Sequence, residues 1–171
     1  MTNMKTFIAE FKNISFPVDT FTNEKGLSDI FKKSLPSTFV EKAAANFRSN
    51  ASAFFGQNGH SLRKADLFYS FNALKIAIEV KWIRESKKSF NQYDIQNSFM
   101  QAVMYHVLYE LDFLVVAIFD SGKNVDEDWL ESSPECTLLR SIIKAYPKII
   151  IVRVRKGKGE NNVYWNSQEG C

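Results

Sequence analysis

The chain has 171 residues, with 22 Lys and Arg against 19 Asp and Glu, and 45% of it is hydrophobic, including 15 Phe. A single domain of this size buries a core without disulfide or metal staples, and this apolar fraction excludes a disordered chain. Two cysteines, Cys136 and Cys171, exclude a disulfide framework or a zinc cluster and fit a reducing cytoplasm.

Residues 1–13 break their apolar run with Lys5, Glu10 and Lys12, so the sequence predicts no signal-peptide core there. The longest apolar runs, 113–119 and 149–152, are too short to span a bilayer, and the expectation is a soluble cytoplasmic protein. No repeat or linker divides the chain. It reads as one domain over 1–171, with a core at about 20–155 and an irregular tail at 157–171.

In chain order, residues 22–35 carry Leu27, Ile30, Phe31 and Leu35 at helical spacing until Pro36 stops the pattern. A second helix is predicted over 38–49, because Thr38 and Glu41 match a capping box. The glycine- and polar-rich stretch 53–61 reads as a loop. Residues 62–70 and 74–82 form a predicted antiparallel pair with Asn72 near its turn. Residues 91–111 read as the longest helix, with Ile95, Phe99, Ala102, Val103 and Val107 as its apolar stripe. A buried strand follows at 113–119, then a mostly helical stretch at 126–145 around Pro134, and another strand at 148–155. The tail is strand-like or irregular around Val163, Tyr164 and Trp165. This order predicts an α/β fold, a mixed central sheet flanked by helices. The connection from 74–82 to 113–119 is long enough for a parallel crossover.

The net charge of +3 does not by itself announce a nucleic-acid binder, but its distribution is uneven. Lys81, Arg84, Lys87 and Lys88 crowd one segment, with Lys64 upstream, and Arg153, Arg155, Lys156 and Lys158 crowd another. Acids gather at Asp120, Asp126, Glu127, Asp128, Glu131 and Glu135. Basic residues beside a polar site suit a polyanion, and Lys64, Arg84, Lys87 and Lys88 are the expected phosphate contacts. Taken alone, either cluster reads equally well as solvated surface.

The segment 74–82 holds the sharpest signal. Ile76, Ile78 and Val80 alternate with Ala77, Glu79 and Lys81, so the carboxylate and the ammonium project together, opposite three apolar side chains. Asp66 lies on the neighbouring run. Cleaving a phosphodiester requires a neutralised phosphate, an activated water and a stabilised leaving oxygen. Mg²⁺ supplies much of this and prefers oxygen ligands. Asp66, Glu79 and the carbonyl of Val80 are the candidate ligands, and Lys81 is placed to orient water or meet developing charge.

Asp66, a hairpin and then Glu79-Val80-Lys81, within an α-β-β-α-β order over about residues 20–120, resemble the core of the PD-(D/E)XK nuclease superfamily, the restriction-endonuclease-like fold. Ala65 stands where the proline of that name would be. The resemblance implies Mg²⁺ binding by Asp66 and Glu79, with Mn²⁺ able to substitute, and a water-assisting role for Lys81. It also implies an acid on the first helix. Glu24 precedes Leu27 and Phe31 on the apolar face and is preferred, with Glu41 the competitor. Gln101 and Tyr105 resemble the QxxxY element of the recombination-exonuclease branch, with Gln96 as rival, which implies that both face the site or its bound strand.

The implied activity is a Mg²⁺-dependent nuclease cutting DNA, as an endonuclease. Cutting both strands with one site per chain favours a homodimer. A non-catalytic nucleic-acid-binding or inhibitor protein on this fold, and an RNA-directed nuclease, stand as alternatives. His60 reads as a turn residue and His106 as a hydrogen-bonded helix residue. Tyr69, Phe71, Trp82 and Phe90 border the site, either as base-stacking surfaces or as core and rim.

Overall fold

A computed structural model of the chain describes residues 2–16, 24–43, 65–84, 97, 101, 104–105, 109–132, 134–146, 148–156, 158 and 161–165. Helices α1 (Thr2–Asn13) and α2 (Glu24–Ser34) come first, then strands β1 (Phe39–Glu41), β2 (Leu67–Phe71), β3 (Leu74–Ile83) and β4 (Phe113–Asp120). Helix α3 (Trp129–Ser132), a 3₁₀ turn (Pro134–Cys136), α4 (Thr137–Ala145), β5 (Ile149–Arg155) and β6 (Asn162–Tyr164) follow. Within the stretch predicted as a long helix, Asn97, Gln101, Met104, Tyr105 and Tyr109 are helical.

The six strands form one mixed sheet in the order β1-β2-β3-β4-β5-β6. β3, β4 and β5 run parallel, and the outer pairings are antiparallel. The β3–β4 pairing is the parallel crossover expected from the length of the connection. Apart from Asp120, Arg153 and Arg155, β4 and β5 are apolar, and both are almost wholly buried, as parallel strands covered on both faces must be. The β2–β3 turn places Asn72 and Ala73 at φ 47° and 68°, a left-handed pair whose twist suits a two-residue hairpin. Ala73 carries a Cβ there, at a cost of about 1–2 kcal/mol relative to a right-handed conformation.

Each sheet face has its own core. Phe7 and Phe11 of α1 and Leu27 and Phe31 of α2 pack with Ile76, Ile78, Val80 and Val115 on one face. The ring pairs Phe7–Phe11 (4.9 Å) and Phe16–Phe119 (5.5 Å) meet edge to face in this layer. Tyr105, Tyr109, Leu139 and Ile143 pack with Ala77, Leu114, Val116 and Ile151 on the other. Ala77 and Ile83 share that second face, so alternation puts Glu79 and Lys81 there too.

Several expectations are corrected. Residues 39–41 are a strand rather than the start of a helix: Phe39 buries its ring opposite Phe71, and Glu41 pairs with Lys32 of α2 (2.6 Å) instead of capping a first turn. The rest of that predicted helix, 44–49, and the 53–61 loop lie outside the described residues. Asp120 and Arg153 form a sealed ion pair, not solvated charges. Helix α1 is additional to the predicted elements; it buries Phe7, Ile8 and Phe11 at helical spacing. The tail is anchored: Asn161 donates through Nδ2 to the carbonyls of Phe11 (2.9 Å) and Ile14 (2.8 Å), answering the C-terminal end of α1. Among the described residues no helix is long and apolar enough to cross a membrane.

Candidate active site

The β2–β3 ladder ends at Leu67↔Ile78, while β3 stays paired with β4 through Ile83↔Asp120. β3 therefore runs on past its antiparallel partner, and residues 79–83 form a shoulder at the carboxyl end of the parallel strands. Asp66, in the bend before β2, fills part of the gap: its Oδ2 accepts a 2.7 Å hydrogen bond from the Val80 N–H. The backbone N–H of Asp66 in turn bonds the Glu79 carboxylate. These two bonds tie the acids to each other's strands.

Glu79 is 5% exposed, and its Oε1 accepts a 2.6 Å bond from Lys81 Nζ. Lys81 Nζ also lies 3.4 Å from Gln101 Oε1. Asp66, Glu79, Lys81 and Gln101 therefore converge on one face. Tyr105, 1% exposed, belongs to the core behind them and contacts the ring of Tyr109 (6.2 Å between centroids).

Burial holds the Glu79 carboxyl above the usual carboxylate range, and the charge of Asp66 pushes it the same way. Lys81, by charge and hydrogen bond, and the Asp66 N–H pull it back. Asp66 is exposed as a residue, yet burial of its carboxyl raises its pKa against the pull of the Val80 N–H and Lys81. Two acids so close that one perturbs the other suit a shared divalent cation, and all the donors are hard oxygens. Among the described residues no group of three or more His, Cys, Asp and Glu gathers as a ligand set, so two carboxylates are what this part of the site offers.

Glu24 begins α2, whose Leu27 and Phe31 pack on the opposite sheet face; its side chain lies outside the described residues. Glu41, the competitor, is engaged with Lys32. Lys64, Lys87, Lys88, Phe90 and Gln96 lie outside the described residues, as do the loop His60 and His106.

Two of the bordering aromatics are core. Phe71 is 1% exposed, and Tyr69 is buried with its hydroxyl pushed up to about 12 by burial and by the Glu41 charge. Trp82 is half-buried on the face opposite Lys81, with Nε1 donating to Ser121 Oγ (3.0 Å). Arg84 is exposed and lies over the Trp82 ring, its guanidinium carbon 5.2 Å from the centroid. The buried pair of Asp120 and Arg153, unforeseen as a pair, sits on the same face: Lys81 aligns with Ile118, and Ile118 with Arg153. Period-two alternation along 149–155 puts Arg153 on the face of Ile149 and Ile151, but Arg155 with it, so alternation alone does not single Arg153 out.

The chain matches no protein-family profile and no curated protein sequence. Among solved structures it is similar to Pyrococcus furiosus SfsA, solved in complex with Ca²⁺, at 14% identity and a TM-score of 0.34. The similarity covers 59% of this chain and 47% of that one, so this chain spans about half of its length. A likeness of this size does not bear on what the site does.

Proposed function

We propose that the chain is a divalent-metal-dependent nuclease that hydrolyses internal phosphodiester bonds of DNA. The supporting observation is the meeting of Asp66, Glu79 and Lys81 on the β3 shoulder, where two mutually repelling carboxylates share one cation. A structural ion pair needs one acid. Here a second acid leaves the trio with a surplus negative charge, which a divalent cation and one phosphodiester together neutralise.

Asp66 and Glu79 would hold Mg²⁺, with Mn²⁺ as substitute, together with the Val80 carbonyl and Glu24. A bound cation supplies charge neutralisation at the phosphate and acidifies its water. The remaining work falls to side chains. The Val80 N–H holds Asp66 in one orientation. Glu79 and Gln101 hold the Lys81 ammonium from two sides, leaving a fixed donor for the attacking water or for charge developing on phosphate. Tyr105 supports the helical residues that carry Gln101, and Lys64, Arg84, Lys87 and Lys88 contribute phosphate contacts without sequence information.

The test is Mg²⁺-dependent digestion of plasmid, linear duplex, single-stranded DNA, a four-way junction and RNA. Wild type is compared with Glu79→Ala and Lys81→Ala. Each variant is expected to bind labelled DNA but to lose cleavage by about 100-fold or more. Unchanged cleavage in either variant would discard the site. Preferred digestion of RNA would keep the chemistry and change the substrate. Failure of wild type to take up Mn²⁺ by calorimetry would point to a binding module instead.

A further inference from the structure

Just past Lys81, an exposed arginine rests over a ring that the chain anchors. Trp82 is held by Ser121, whose hydroxyl and backbone N–H both donate to the carbonyl of Ile83, at 2.8 and 3.0 Å. Ser121 is 7% exposed, so this clasp is a buried tie between the ends of β3 and β4. The indole is thereby fixed to the backbone, and Arg84 lies on it.

A guanidinium held over a ring by cation–π attraction keeps its N–H donors available for a further partner. Among the described residues no carboxylate or carbonyl pairs with Arg84. An exposed guanidinium resting over an anchored ring can offer two donors at once to a planar or tetrahedral oxyanion. Arg84 follows Lys81 by three residues, about 10 Å of backbone at ~3.3 Å per residue. A B-form strand advances ~3.4 Å per phosphate, so Arg84 falls a few nucleotides from the phosphate at Lys81. Trp82 and Arg84 project from the face opposite Lys81, and a strand touching both passes around the end of β3.

We infer that Arg84 binds a backbone phosphate of the DNA strand near the one cleaved, with Trp82 as the residue that positions it. This rests on the nuclease reading of Asp66, Glu79 and Lys81. It differs from a general basic-patch contact because it needs the guanidinium and the ring, not the charge alone.

Anisotropy of a short fluorescein-labelled duplex DNA, measured in EDTA so that binding proceeds without cleavage, tests it. Arg84→Ala is expected to weaken binding about tenfold and to lower the salt slope by about one. Arg84→Lys and Trp82→Leu should each weaken it about two- to fivefold, with no further loss in the double variant. Trp82→Tyr, which keeps an aromatic face but loses the bond to Ser121, should fall between wild type and Trp82→Leu. Wild-type affinity in Arg84→Lys would overturn the inference. If wild type cleaves DNA while Arg84→Ala binds as wild type does, this inference alone falls. A wild type that neither binds nor cleaves DNA overturns the nuclease reading as well.

Discussion

Two acid–cation pairs stand on the same face of the sheet, and they are built in opposite ways. At Asp120 and Arg153 both side chains are fully buried, and every part of the charge is answered from within the chain. Arg153 Nε and Nη2 meet Asp120 Oδ2 at 2.8 and 2.6 Å, and its further partners include the carbonyls of Glu127, Val125 and Asn124 and the Tyr164 side chain. Asp120 Oδ1 accepts from the Gly122 N–H. The pair pins the 121–128 turn to the sheet. At Glu79 and Lys81 the side chains keep 7% and 20% of their exposure, and a second carboxylate, Asp66, crowds the first. One pair is answered from within the chain; the other carries surplus charge and a partly exposed cation. A buried charge in a strand is thus structural where its own chain completes it, and a candidate for ligand chemistry where it does not.

Removing one half of the sealed pair should have the largest effect. Arg153→Ala is expected to lose about 3–5 kcal/mol in urea denaturation, because Asp120 is left buried with its charge uncompensated. Replacing both, as Asp120→Leu with Arg153→Met, should recover most of that loss. A single variant as stable as wild type would show that the pair is not sealed in solution.

The open pair should respond to pH and metal more than to truncation. Asp66 and Glu79 have raised carboxyl pKa values in the fold, so their contribution to stability is full below the ordinary carboxylate range. It is lost as pH rises through the raised values. Glu79→Gln should therefore gain thermal stability relative to metal-free wild type as pH climbs through that window. Mn²⁺ should raise the wild-type melting temperature more at neutral than at acidic pH. A difference between Glu79→Gln and wild type that ignores pH would break the contrast between the two pairs.

The smallest effect is expected at Lys32–Glu41, an ion pair with 45% and 49% of its side-chain surfaces exposed. Lys32→Ala should cost less than about 1 kcal/mol, and the cost should shrink in high salt. A larger loss would mean that this bridge secures β1 against α2.

The parts of the fold that were legible in the sequence are those whose pattern is long or strict. The β2–β3 hairpin, the apolar strands β4 and β5 and the parallel crossover all follow from period-two alternation, burial runs and connection length. Glu79 and Lys81 were legible as same-face residues for the same reason. What brings Asp66 to them is the early end of the β2 ladder, a register feature that no local pattern announces. β1 gives no strand signal of its own because it is three residues long, with one buried side chain, Phe39. Thr38 and Glu41 therefore carried a helical signature that tertiary pairing overrode. Asp120 and Arg153 stand 33 positions apart, each among other charges, and only strand register makes them partners.

The clasp of Asn161 on α1 bears on the order in which the fold can be completed. Its side chain answers a carbonyl 150 positions earlier in the chain. At a synthesis rate of about 5–20 residues per second, that helix waits roughly 8–30 s for its cap on the ribosome. The sheet from β1 to β5, with the whole carboxylate shoulder, emerges before the cap does. Helix α1 is thus made before the sheet but secured after it, and a nascent chain arrested before Asn161 is expected to be clipped by protease near Phe11 and Ile14 while its sheet is spared.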